Sequence, residues 1–127
     1  MINSFWNEYR KFKLRFRGAT IGKNVFINGH VRVINPINLV VRDGVSLNHG
    51  VIITCMQLVF IGTNTHVSPY VQIHTGSLNK ERHHNYKPVI IGRNVWIASG
   101  SIICHNTIIP NDSTIPALSK VNKHTFI

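Results

Sequence analysis

The 127-residue sequence predicts an all-β chain wound as a left-handed parallel β-helix of six-residue repeats. Two periodic features carry that prediction. An aliphatic residue returns every six positions, and a small or β-branched residue follows it four places on. From Ile61 onward the in-phase positions Ile61, Val67, Ile73, Ile91, Ile97, Ile103, Ile109, Ile115 and Val121 are all Ile or Val. Before them, Ile21, Ile27 and Val33, then Val41, Leu47 and Ile53, keep the same period in other phases. The second series runs through Val25, Val31, Val45, Val51, Thr65, Val71, Val95, Ser101, Thr107, Ser113 and Ser119. An α-helix repeats near 3.6 residues and a lone strand near 2, so a period of six fits a short strand plus a corner. Three such units close one coil, and coils stack at the ~4.8 Å spacing of neighbouring strands. A β-sandwich is the alternative, but its strands recur every ~8–12 residues.

In chain order, residues 1–18 precede the repeats. Phe5, Tyr9, Phe12 and Phe16 fall at helical spacing with basic residues between them. The segment reads either as an amphipathic helix covering the open edge of the first coil or as a peripheral anchor on an anionic membrane face. Residues 19–127 form the β-helix. Its phase slips at Asn35-Pro36-Ile37-Asn38 and between Cys55 and Phe60, where a bulge or insertion is expected. Thr75 to Val89 interrupts the period without shifting it, and marks an inserted polar loop. Turn-formers follow many aliphatics directly (Gly22, Asn28, Asn48, Gly62, Gly92), which suggests corners there.

Composition narrows the function classes. Fourteen Lys and Arg against four Asp and Glu give a net charge of +10, so an anionic partner is expected. Neither a zinc-finger spacing nor a helix-turn-helix or aromatic RNA-binding signature is present, so nucleic acid is not the expected partner. No stretch approaches the ~20 apolar residues of a spanning helix. The first eighteen residues lack the apolar core of a secretory signal, and a cytoplasmic location is expected, peripheral to the inner membrane if residues 5–17 serve as an anchor. Cys55 and Cys104 have no metal or redox spacing and read as small buried residues of a reduced protein.

Three stretches carry a resemblance that covers about Thr20 to Lys123: Ser68-Pro-Tyr-Val-Gln-Ile-His-Thr-Gly-Ser77, Val89-Ile-Ile-Gly-Arg-Asn-Val-Trp-Ile97, and Ser113 to Lys123. They resemble the hexapeptide-repeat acyltransferases, above all the maltose, galactoside and colanic-acid type sugar O-acetyltransferases. The first looks like the segment leading into that family's active-site loop, the second like the strand after it, and the third like the late coil ending in a lysine near coenzyme A. The resemblance implies a homotrimer with active sites between subunits, acetyl-CoA as acyl donor, and a sugar or polysaccharide-precursor acceptor. A loop histidine would act as general base on the acceptor hydroxyl, worth typically ~10²- to 10⁴-fold.

The residues depart from that pattern at the base. Where the family's histidine follows the Thr-Gly-Ser segment, this chain has Leu78, which cannot accept a proton. The candidates for a relocated base are His84 and His83, inside the insertion, and His74, four residues before Leu78; His49 is a further one that a neighbouring subunit could present. On the donor side, Trp96, Ser99, Ala117, Asn122 and Lys123 match positions near the active site or along coenzyme A. Ala98, Pro116 and Leu118 stand where the family commonly has glycine, which would narrow the groove. Two readings therefore stay open: an acetyl-CoA-dependent O-acetyltransferase, or a catalytically degenerate β-helical binding or assembly subunit.

Overall fold

A computed structural model describes residues 2–126, and its architecture is a left-handed parallel β-helix of five coils capped by the helix α1 (Ile2–Phe16). Each coil contributes one strand to each of three parallel sheets. The first face stacks Thr20–Ile21, Leu39–Val41, Val59–Ile61, Val89–Ile91 and Ile108–Ile109. The second stacks Phe26–Ile27, Ser46–Leu47, His66–Val67, Trp96–Ile97 and Thr114–Ile115. Arg32–Ile34, Ile52–Thr54, Gln72–His74, Ile102–Ile103 and Lys120–Val121 form the third.

The six-residue period maps onto these faces as expected. All fifteen aliphatics of the repeat, from Ile21 to Val121, point inward and are buried. They sit in register, for example Val41 on Ile61 on Ile91 on Ile109. Removing each such side chain from water contributes about 1.5–3 kcal/mol. The second series fills the corners. In the later coils its hydroxyls also tie neighbouring coils together. Buried Thr65 donates through Oγ1 to the Gly92 carbonyl (2.8 Å) and accepts from the Val95 N–H (3.2 Å). Buried Ser101 does the same with the Pro116 carbonyl and the Ser119 N–H.

The phase slips are where two coils carry extra residues. Ile21 pairs with Val41 and Val41 with Ile61, each step two residues longer than the eighteen from Ile91 to Ile109. In the first slip the surplus forms the 3₁₀ turn Pro36–Asn38, entered through Asn35 at φ 63°. Asn35 and Asn38 both donate to the Cys55 carbonyl, so the two slips stack on each other (3.0 and 2.9 Å).

Corners turn at a different place from the one expected. The left-handed residue stands three places after the aliphatic rather than one: Asn24, Gly44, Asn64, Asn94 and Asp112 follow Ile21, Val41, Ile61, Ile91 and Ile109. Asn, Asp and Gly tolerate that conformation best. The glycines placed directly after the aliphatic answer to a different need. A Cβ on Gly62 would lie 2.5 Å from the Gly92 carbonyl carbon in the next coil, so stacking leaves no room for one.

The N-terminal segment caps the first coil, but through the face opposite its aromatics. Asn7, Lys11 and Leu14 are buried against the coil. The Asn7 side chain makes the pair of bonds that a preceding coil's peptide would have made. Its Nδ2 donates to the Val25 carbonyl (3.2 Å) and its Oδ1 accepts from the Ile27 N–H (2.6 Å). Lys11 is neutralised by Glu8 at 2.8 Å. Phe5, Phe12 and Phe16 stay 64%, 62% and 83% exposed. The sequence pattern cannot reveal this, because an open strand edge needs hydrogen-bonding groups before it needs apolar area.

Candidate active site

The insertion is not an open loop but an antiparallel hairpin, Gly76–Leu78 paired with His84–Tyr86. It leaves the third face directly after His74, and its tip is a turn at Asn79 to His83. There the Asn79 N–H donates to the His83 carbonyl, and Arg82 takes φ 62°. Cross-strand pairing sets Leu78 opposite His84. The flanking pairs Thr75–Lys87 and Asn79–His83 carry the backbone hydrogen bonds, so 78–84 is a non-hydrogen-bonded pair. In such pairs the two side chains leave the same face of the hairpin, with Cβ atoms ~4.5–5.5 Å apart. His84 thus projects from the surface that position 78 occupies. Its ring stacks on Tyr86, with centroids 5.5 Å apart and planes 3° apart. Among the described residues no side chain hydrogen-bonds its nitrogens. His83 pairs with Asn79 and alternation directs it to the other face.

His74 is half-buried and differently employed. Its Nε2 lies 2.8 Å from Gln72 Oε1, and its Nδ1 lies 3.0 Å from Thr54 Oγ1. An amide oxygen only accepts, so Nε2 carries the proton and Nδ1 accepts from the Thr54 hydroxyl in the neutral ring. Burial holds its pKa below the ordinary histidine value, which favours that neutral form. Both nitrogens are committed to the scaffold. His49 is likewise structural: its Nδ1 accepts from the His30 N–H (3.0 Å), and its ring packs edge-on against Tyr70.

A groove of about 320 Å³ opens beside the root of the hairpin, lined by His74, Gly76, Ser77, Cys104, His105, Lys120 and Asn122. It brings together one predicted base candidate, His74, and one predicted donor residue, Asn122. His105 and Lys120 were not anticipated. Register is the signal that finds them. Ile103 pairs with Ile73 below and Val121 above, so Cys104 and His105 follow it as His74 and Thr75, and Asn122 and Lys123, follow theirs. Cys104 is half-buried on this groove rather than in the core, unlike Cys55, which is fully buried.

The remaining donor candidates lie elsewhere on the molecule. Trp96 stands on the second face in register with His66 and Thr114, half exposed, its Nε1 donating to Ser68 Oγ at 3.0 Å. Ser99 and Ala117 occupy the corner between the second and third faces in successive coils, where the Leu118 N–H donates to the Ser99 carbonyl. Leu118 takes φ 59° there, lies 84% exposed and covers Gly100. Asn122 and Lys123 follow the last strand of the third face, beyond which the first face begins in earlier coils. One chain therefore distributes the predicted residues over the second face and two corners and does not gather them in one cleft.

No family model matches the chain. It is 30% identical over 118 residues to an Escherichia coli K12 protein bearing the name colanic acid biosynthesis acetyltransferase WcaF; the alignment takes in 91% of this chain and 65% of that protein. The chain thus spans less than two thirds of that relative's length. A crystal structure of a maltose O-acetyltransferase from Clostridium difficile superposes with a TM-score of 0.72 at 27% identity, covering 91% of this chain and 70% of that one. A hexapeptide-repeat-containing acetyltransferase of Vibrio cholerae, crystallised with acetyl coenzyme A, superposes with a TM-score of 0.78 at 18% identity, covering 95% and 75%. At that identity the likeness concerns the fold.

Proposed function

We propose that this chain, a left-handed β-helix, is a hexapeptide-repeat acyltransferase that transfers an acetyl group from acetyl-CoA to a hydroxyl of a sugar or surface-polysaccharide precursor. The observation that carries the reading is the pairing of Leu78 with His84. It restores an imidazole to the hairpin surface from which the family's base is missing. His84 takes the proton of the acceptor hydroxyl as its oxygen attacks the thioester carbonyl. The C–S bond then breaks, the proton passes to the departing sulfur, and the products are an acetyl ester and the free thiol. His83 and His74 are the weaker choices, since one faces away and the other has both nitrogens engaged.

For the donor, Lys120 in the groove and Lys123 at the end of the last coil supply cations suited to phosphate, and the His105 ring beside Lys120 offers a further polar contact. Asn122 already lines that groove, and Trp96, Ser99 and Ala117 complete the set when a second copy brings one chain's second face beside another's groove. The split of these residues over the second face and two corners supports such an assembly, and we read it as a homotrimer working in the cytoplasm, where acyl-CoA is available.

A second reading, a binding or assembly subunit without turnover, is favoured by Leu78 itself and by the bulk of Leu118 at the corner beside Ser99 and Ala117. Thiol release from acetyl-CoA, measured over a panel of sugars, separates the two. Acceptor-dependent release that disappears in His84→Ala supports the enzyme. Acetyl-CoA binding with no release on any acceptor supports the binding subunit.

A further inference from the structure

Helix α1 shows a second surface that acyl transfer does not use. Its packed face is Asn7, Lys11 and Leu14; half a turn away, Phe5, Tyr9, Phe12 and Phe16 form a stripe aimed into solvent. Phe12 and Phe16 stack on each other with centroids 6.3 Å apart, and Trp6 meets both Phe5 and Tyr9 edge-on, so the aromatics form two clusters along the helix. Beside it, between the helix and the first coil, lies a groove of about 530 Å³, larger than the one at the hairpin. Its lining includes Trp6, Arg10, Lys13, Arg17, His30 and Arg32, and no carboxylate. Glu8, the only acid of the helix, is exposed but paired with the buried Lys11.

We propose that this end of the β-helix binds the surface of an anionic phospholipid membrane, the stripe entering the interface and the basic groove receiving lipid phosphates. Charge complementarity selects this occupant. Aromatic side chains favour the headgroup level of a bilayer, and cationic side chains next to them are drawn to acidic lipids. Another copy of this chain would bring cations against cations, since the same groove accompanies every copy. The position on the blunt end also leaves the three lateral faces free for subunit contacts. Arg10 and Arg15 are held by backbone carbonyls of the first coil (Ile27 at 3.2 Å, Ile21 at 3.0 Å), which fixes the helix against the coil. Membrane contact needs no acyl donor, so it stands or falls separately from acetyl transfer.

The test is co-sedimentation of the full chain with vesicles of phosphatidylcholine alone and of phosphatidylcholine mixed with equal phosphatidylglycerol. Binding is expected only to the mixed vesicles. Lys13→Gln with Arg17→Gln should weaken it by about thirtyfold at low salt, at about fivefold per cationic side chain. Phe12→Ser with Phe16→Ser should abolish it while the melting temperature stays unchanged, because both rings are exposed. In a Trp96→Phe chain, Trp6 emission should shift to the blue on vesicle binding. Four results would overturn the proposal: no binding to either vesicle; equal binding to both; binding indifferent to the phenylalanine changes; or competition by inorganic pyrophosphate with no shift of Trp6, which would mark a soluble phosphate site. Stripe-dependent sedimentation without vesicles would assign the face to a second copy instead.

Discussion

Leu78 and His84 face each other across the inserted hairpin as a pair that shares no backbone hydrogen bond. Their side chains accordingly rise from one surface, which is what the proposed role of His84 as base rests on. His84→Ala should lower acetyl transfer by about 10²- to 10⁴-fold with little change in the KM for acetyl-CoA. Leu78→His introduced into His84→Ala should restore a measurable part of it. A double variant as inactive as His84→Ala would remove the hairpin from the mechanism.

Asn7 substitutes for a missing coil by bonding both the Val25 carbonyl and the Ile27 N–H. Asn7→Leu would leave both groups buried without partners, at about 1–3 kcal/mol each. A loss of roughly 2 kcal/mol or more in urea unfolding is expected. Asn7→Asp should not rescue the loss, since it keeps the acceptor for Ile27 but sets a carboxylate oxygen against the Val25 carbonyl in a buried site.

Two corners give opposite expectations for glycine exchange. Gly50 sits at φ 83°, and a Cβ there would lie 2.4 Å from the Tyr70 ring, so Gly50→Ala should destabilise by about 1–3 kcal/mol. Leu118 holds φ 59° with its side chain in solvent, so Leu118→Gly should be neutral or stabilise by up to about 1 kcal/mol. It would also open the corner beside Ser99 and Ala117. Thermal melts of the two variants should move in different directions.

His74 gives the fold an acid-sensitive contact. Burial lowers its pKa in the folded chain, so the unfolded chain binds that proton more readily. The contribution of the neutral ring is complete above the ordinary histidine value of ~6.5 and is lost as pH falls through it toward the lowered folded value. Urea midpoints should drop on mild acidification, and the drop should be shallower in His74→Asn. Equal slopes for the two chains would show that this ring does not govern the acid limb.

The two thiols should react apart. Burial pushes the Cys55 thiol up to about 12, so it is protonated and inaccessible in the native state. Cys104 lines the groove with His74, Lys120 and Asn122. Titration with an aromatic disulfide reagent should find one thiol in the native protein and two after denaturation. Protection of the fast thiol by acetyl-CoA, whose own sulfur is acylated and does not consume the reagent, would place the donor in this groove.

The coils, their phase slips and the position of the insertion are legible in the sequence because each inward residue answers to the same requirement. A six-residue period has one way to bury its aliphatics, and Ile61 to Val121 keeps it on both sides of the insertion at Thr75 to Val89. Leu78 as the residue in the place of a base is equally readable along the chain. Its cross-strand partner is not, because the Leu78–His84 pair depends on hairpin register, which a polar segment specifies weakly. Stacking alone brings His105 and Lys120, in successive coils, to the groove of His74. Helix α1 shows the same division. Its amphipathic spacing is written in Phe5, Tyr9, Phe12 and Phe16, but the face it buries was decided by the unpaired backbone edge of the first coil. That edge demanded the amide of Asn7, and the aromatics were left to the outside.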